Sequence, residues 1–299
     1  MQVKANGIDI EVEDSGGNGP AVLLVMGLGM QLTAWPPELV QALVQAGYRV
    51  IRHDNRDAGL SRQFDELRPS SVLWSALRWR VGLTVRAPYT LADMAHDARG
   101  VLDALGVAQA HVVGASMGGM IAQRLALAAP DRVLSLTSIM SSSGARNLPQ
   151  ARSDVARALM SRPSGRNREA LLDYYVRFFG LIGSPGFPTP PAEIRQRMAV
   201  ALARASNPAG VQRQMLAIAA DITRPVQLAR VKAPTLVIHG RDDPLVPLAG
   251  GQDTARRIPG ARLEIIDGMG HDLPPGVVQR ILPLLLAHFA RYDPPGACA

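Results

Sequence analysis

The run His111-Val112-Val113-Gly114-Ala115-Ser116-Met117-Gly118-Gly119-Met120 changes character halfway along. His111-Val112-Val113 is a short run with two β-branched valines, which favours a strand. Met117–Ala129 reads as a helix, rich in good helix formers after Gly118-Gly119. Between them stands Gly114-Ala115-Ser116-Met117-Gly118, a G-x-S-x-G sequence at a strand-to-helix turn. Such a turn is too tight for side chains on either side of the serine. It lifts the hydroxyl above the sheet and aims the positive end of the following helix at any oxyanion that forms there. As a bare five-residue match the motif could be a serine in a glycine-rich turn. The strand before it and the helix after it make Ser116 a candidate nucleophile.

Outward from this turn the same alternation repeats. Residues 2–5 and 8–13 alternate around Asn6-Gly7, a strong two-residue hairpin signal. Ala21–Val25 is continuously apolar, as expected of a strand covered on both faces. Helical spacing over Pro36–Gly47 leads to a strand at Tyr48–Arg52, and Thr90 caps a helix running to about Gly106. Val133–Ile139, Pro234–His239 and Arg262–Ile266 are further strands. A helix over Val277–Tyr292, interrupted or kinked at Pro283, completes the series. This pattern predicts an α/β fold: a mostly parallel, eight-stranded sheet with helices on both faces. From Ser141 to Arg224 helical segments occur without a convincing strand. The expected organisation is therefore a core of residues 1–140 and 225–299 with a helical cap, 141–224, inserted between two strands. A second irregular segment, Gln63–Pro88, carries Trp74 and Trp79 and is expected near the cleft mouth.

Bulk properties narrow the class. A chain of 299 residues can bury roughly three-quarters of its unfolded surface, ample for one large core. No apolar run is long enough to span a bilayer, and Met1-Gln2-Val3-Lys4 lacks the apolar centre of a signal peptide. The lone cysteine, Cys298, excludes an internal disulfide. A cytoplasmic enzyme is expected. The net charge of +7 is nearly all arginine, Lys4 and Lys232 being the only lysines. Apart from Arg78, Arg80 and Arg86 the arginines are scattered, without the concentrated basic face of a nucleic-acid binder. They read as solvated surface charge.

A serine hydroxyl needs a base. Of six histidines, His53, His111 and His239 fall in or beside predicted strands, and His96 and His288 on helices. His271 alone lies in a glycine-flanked loop, Gly268-Met269-Gly270-His271, after the last strand, and is the candidate base. The partner acid should follow a strand between the two. Gly240-Arg241-Asp242-Asp243-Pro244 offers both Asp242 and Asp243. Asp243 is favoured because it sits further into a turn stiffened by Pro244. Asp272 is adjacent to the histidine, and neighbouring side chains diverge. Two backbone N–H groups are needed for an oxyanion: Met117 after the nucleophile, and Leu28 in the loop Met26-Gly27-Leu28-Gly29. Gly27-x-Gly29 with Asp54 also mimics a dinucleotide fingerprint, but Leu32 stands where a third glycine belongs. Met26, Gly27, Met30 and Met120, with Leu28 and Met117, are expected to line a substrate site, although methionines are equally good core filler. No residues have metal-ligand spacing, so no metal and no cofactor are expected.

Val25-Met26-Gly27, Asp54-x-Arg56-x-x-Gly59-x-Ser61, the elbow at Ser116, Gly240–Pro247 and Gly270-His271 together resemble the α/β-hydrolase superfamily over nearly the whole chain. Leu24–Gly27, Val50–Asp54, His111–Gly114 and Gly268–His271 are most similar to the aclacinomycin methylesterase group, whose members hydrolyse carboxylic esters. The resemblance implies nucleophile Ser116, acid Asp243, base His271 and oxyanion donors Leu28 and Met117. Its departure is Met26-Gly27 where the superfamily more often has His-Gly. The expected activity is cleavage of small to medium, largely apolar esters through an acyl-enzyme. The alternatives are a lactonase or carbon–carbon bond hydrolase on the same triad, or a low-turnover ligand receptor. The expected partner is a small-molecule ester, with no nucleic acid and no membrane span. A homodimer is compatible with the sequence, which leaves the oligomeric state open.

Overall fold

A computed structural model describes residues 1–68, 71, 74–75, 77–78, 83–161, 164–165 and 167–294. Trp79, Arg80 and Cys298 lie outside the described residues.

Asn6 and Gly7 both adopt positive φ, 49° and 78°, the backbone that a two-residue hairpin turn requires. They join β1 (Gln2–Ala5) to β2 (Ile8–Asp14) with Ala5 opposite Ile8. The other strands are β3 (Ala21–Val25), β4 (Arg49–His53), β5 (Ala110–Ala115), β6 (Val133–Ile139), β7 (Thr235–Gly240) and β8 (Arg262–Ile266). They form one eight-stranded sheet in the order β1-β2-β4-β3-β5-β6-β7-β8. The first two pairings are antiparallel and the rest parallel. Parallel pairing brings the carboxyl ends of β3, β5, β7 and β8 to one edge, where their loops can meet.

Helices cover both faces. On one, α1 (Pro37–Gln45) packs through Leu39 and Leu43 against Val22, Leu24 and Val113. On the other, α2 (Leu91–Ala104) and α3 (Met117–Ala128) bury Met94, Leu102, Ile121 and Leu125 against Leu23, Val25 and Val112. The start of α2 is fixed by reciprocal bonds: Thr90 Oγ1 accepts from Asp93 N–H at 3.1 Å, and Asp93 Oδ2 accepts from Thr90 N–H at 2.8 Å. Between β6 and β7 the chain forms α4 (Ser153–Met160), α5 (Arg168–Ile182), α6 (Pro191–Arg204) and α7 (Pro208–Ala220), with no strand among the described residues. After β7 comes α8 (Ala249–Arg257) and after β8 comes α9 (Pro275–Phe289). Among the described residues no helix is long and apolar enough to cross a membrane.

Two expectations need correction. First, of the interruption or kink expected at Pro283 the interruption is absent: α9 runs through it. The ring lies on the exposed side, where water can satisfy the carbonyl of Gln279 that loses its partner. The opposite side buries Val278, Ile281, Leu285 and Phe289 in the core, which outweighs one lost bond. Second, not all the arginines are solvated. Arg56, Arg213 and Arg224 are buried. Arg56 grips Asp97 through two bonds of 2.6 and 2.7 Å, and Arg213 grips Asp57 through two of 2.7 Å. A guanidinium fork matches a carboxylate, so such pairs survive burial where a lone charge would not. The Arg213–Asp57 pair joins α7 to the loop after β4, and Arg204 on α6 reaches Asp54 in the same loop at 2.7 Å. Trp74 is exposed on the segment expected at the cleft mouth.

The Asp57 carboxylate also accepts from Tyr89 Oη at 2.8 Å and Phe64 N–H at 2.9 Å. Burial opposes its ionisation, but Arg213 and these donors together hold it below the usual carboxylate range. Its stabilising contribution is therefore present above the unfolded carboxylate pKa and lost as pH falls through the depressed folded value. Arg213→Leu leaves that charge buried with no cation and is expected to cost about 3–5 kcal/mol at neutral pH. Urea melts would show a lower midpoint, and the gap from wild type should narrow as pH falls.

Candidate active site

Ser116 sits at φ 56°, ψ −121°, a backbone that L-residues rarely adopt. Surrounding bonds hold it there. Its N–H donates to Ile139 O at 2.9 Å, and its carbonyl accepts from Gly119 N–H at 2.9 Å and Ser141 Oγ at 2.7 Å. The flanking glycines are required by close approach. A Cβ on Gly114 would stand 2.2 Å from Gly118 O, and one on Gly118 would stand 2.0 Å from Val25 O. The serine is only half-buried, so its hydroxyl is presented above β5.

The loop after β8 delivers His271 to this hydroxyl. Its backbone N–H donates to Ile182 O at 2.7 Å, and Gly270 N–H donates to Ser184 Oγ at 2.9 Å, tying the loop to the end of α5. The imidazole Nε2 lies 2.9 Å from Ser116 Oγ, and Nδ1 lies 2.7 Å from Asp243 Oδ2. A carboxylate only accepts, so it fixes the proton on Nδ1 and leaves the Nε2 lone pair for the serine O–H. Asp243 is itself fixed. Its Oδ1 accepts from Leu245 N–H at 2.9 Å and Val246 N–H at 2.8 Å. Asp242 turns away and accepts from Gly268 N–H at 2.9 Å. Asp272 accepts from Ser184 Oγ at 2.5 Å, and burial raises its pKa. Of the two acids left open by the sequence, Asp243 is the one brought to His271.

The remaining histidines are placed elsewhere. His96 is exposed on α2. Burial pushes His53 and His288 each down to about 4, which keeps them neutral. His111 bridges Ser135 Oγ and Asp293 Oδ1, both at 2.8 Å, at the opposite end of the sheet. His239 was not singled out by the sequence, yet its Nε2 is 2.8 Å from Val246 O and 3.5 Å from Asp243 Oδ2. It packs beneath the acid's turn. A histidine closing a buried strand gives no local signal of that neighbour.

The loop after β3 lies against the serine. A Cβ on Gly27 would be 3.1 Å from Ser116 Cβ. Met30 N–H donates to Gly27 O at 3.2 Å, closing a turn with Leu28 and Gly29 at its centre. Among the described residues neither Leu28 N–H nor Met117 N–H has a protein acceptor. The side chains of Met26, Met117 and Met120 are buried in the two cores, whereas Met30 is half-buried against the α1 side. A groove of about 450 Å³ flanks the base loop, between Phe179, Thr189, Arg152, Asp242 and Asp272.

A parallel sheet with a strained serine elbow, a loop histidine and a turn carboxylate defines a class. Residues 20–274 match the sequence profile of the alpha/beta hydrolase fold, and the chain belongs to that family. Within it, the chain is similar to two rhodomycin D methylesterases. DauP of Streptomyces sp. (strain C5) is 32% identical over 89% of this chain and 90% of that protein. DnrP of Streptomyces peucetius is 33% identical over the same shares. The meta-cleavage product hydrolase CumD of Pseudomonas fluorescens IP01, solved as a mutant complexed with acetates, superposes with a TM-score of 0.73. At 20% identity over 97% of each chain, it shares the fold.

Because the space at Gly118 is bounded by backbone, Gly118→Ala is expected to destabilise by about 3 kcal/mol or more through overpacking. Denaturant melts of purified variant and wild type would measure it. A change below about 1 kcal/mol would mean the elbow can open without cost.

Proposed function

We propose that the protein is a serine hydrolase that cleaves carboxylic esters through an acyl-enzyme. The observation that carries this reading is the unbroken hydrogen-bonded chain from Asp243 through His271 to Ser116. In this reading His271 Nε2 takes the proton of Ser116 Oγ as that oxygen attacks the ester carbonyl carbon. The negative charge moves to the carbonyl oxygen, which the N–H groups of Leu28 and Met117 receive. Collapse expels the alkoxide, protonated by His271. Water, deprotonated by the same imidazole, then attacks the acyl-enzyme and releases the acid. Asp243 holds the imidazole tautomer and stabilises its charge while the proton is on board.

Kinship with rhodomycin D methylesterases favours a methyl ester as the scissile group, with methanol as the leaving alcohol. The substrate is a small molecule. The helices of 141–224 act as a cap on the 1–140 and 225–299 core, and Gly27, Met26, Met30 and Met120 are the candidates for walls of the acyl site. A cytoplasmic setting is part of the same proposal.

Wild-type protein is expected to hydrolyse p-nitrophenyl acetate and to be labelled by a fluorophosphonate. Ser116→Ala should lose both. Asp243→Asn should lower kcat by about 10⁴, as loss of the correct tautomer does elsewhere. Asp242→Asn should stay within a few-fold of wild type, since its carboxylate accepts from the Gly268 N–H while Asp243 is the acid bonded to His271. Wild-type protein inert toward a panel of alkyl and aryl esters, and unlabelled, would overturn the reading; turnover confined to lactones would reassign the substrate class.

A further inference from the structure

We propose that Gln214, on α7, is a positioning residue that sets the oxyanion loop from above. The inference rests on the esterase reading, in which Leu28 N–H is one of two oxyanion donors. Gln214 is completely buried, and both ends of its amide are used. Its Oε1 accepts from Gly29 N–H at 2.8 Å, and its Nε2 donates to Arg56 O at 2.8 Å. A backbone donor at one end and a backbone acceptor at the other fix which way the amide points.

Gly29 is the third residue of the Gly27–Met30 turn and has φ +67°, the sign a type II turn needs at that position. In such a turn the peptide joining Leu28 to Gly29 can flip between two orientations. The bond to Gln214 selects one of them, and the selection reaches the residue whose N–H is to meet the oxyanion. The contact is close on the apolar side as well. A Cβ on Gly29 would lie 2.8 Å from Val211 Cγ2, one turn before Gln214 on the same helix. The far end of the lever is rigid: Arg56, whose carbonyl receives the amide, is clamped to Asp97, and Arg213 beside Gln214 is clamped to Asp57. An amide spanning two anchored backbones tolerates little movement in the loop between them.

Gln214→Met keeps the length of the side chain and removes both polar ends. Gln214→Glu keeps the acceptor for Gly29 and loses the donor to Arg56. With methionine, kcat per titrated active site is expected to fall roughly tenfold to hundredfold, less than deletion of an oxyanion donor, with KM within about threefold. Affinity for an alkyl boronic acid, which mimics the tetrahedral state, should fall in parallel with kcat. With glutamate, kcat should stay within about fivefold of wild type even though the melting temperature drops, because the acceptor remains. In the wild-type protein the Gly29 amide should exchange slowly with solvent deuterium, a measurement that needs no variant. Rapid exchange of that amide, a methionine variant with unchanged kcat, a loss residing in KM alone, or a glutamate variant as slow as the methionine one would each overturn the assignment. Wild-type protein that hydrolyses no ester would remove the esterase reading as well, whereas active wild type with an equally active Gln214→Met removes this inference alone.

Discussion

A serine held at φ 56° costs on the order of 1–3 kcal/mol in backbone strain and persists only where its surroundings over-determine it. Here they do. The strand behind Ser116 is buried on both faces, its N–H and C=O are bonded to β6 and the residues after it, and two glycines let α3 descend almost onto β5 and β3. The eight-stranded sheet is in this sense the device that stores the strain. Its parallel strands then set where the other loops emerge, so that a histidine and a carboxylate more than a hundred residues away arrive at the same edge.

The arrangement is held as firmly from above as from below. Arg204, Arg213 and Gln214 run from α6 and α7 into the loops after β3 and β4, and Ile182 and Ser184 at the end of α5 receive the backbone of the base loop. Both loops that flank the serine are therefore bonded to the helical stretch between β6 and β7. Two of these links are charged pairs with no or little solvent exposure, which are costly to break singly because the surviving charge is stranded.

What could be read from the chain divides along the range of the interaction. The elbow was legible because strand, turn and helix are contiguous and the glycine requirement is local. His271 was legible by position, since only one histidine lay in a glycine-flanked loop after the last strand. Asp243 was favoured by a local argument about a turn stiffened by Pro244; its two backbone bonds to Leu245 and Val246 were no part of that argument. Gln214 and Arg213 were not legible. Each is a polar residue on an amphipathic helix, and its partner lies about 150 residues or more away. Pro283 does not end the helix for the complementary reason: the local rule was sound, but tertiary burial of the opposite side of α9 carries the helix through.

The bridge from Ser135 through His111 to Asp293 has the same three side-chain types as the constellation at Ser116, but with the ring nitrogens exchanged: Ser135 Oγ meets Nδ1 and Asp293 Oδ1 meets Nε2. It lies at the amino-terminal end of β5 and β6, with Ser135 and His111 sealed from solvent and the serine in ordinary extended strand. What separates the two is the orientation of the ring and the main chain: Ser116 sits at a positive-φ kink, beside the N–H groups of Leu28 and Met117, which have no acceptor among the described residues. Diagnostic information about this chemistry thus resides in peptide geometry at least as much as in the identity of the three partners.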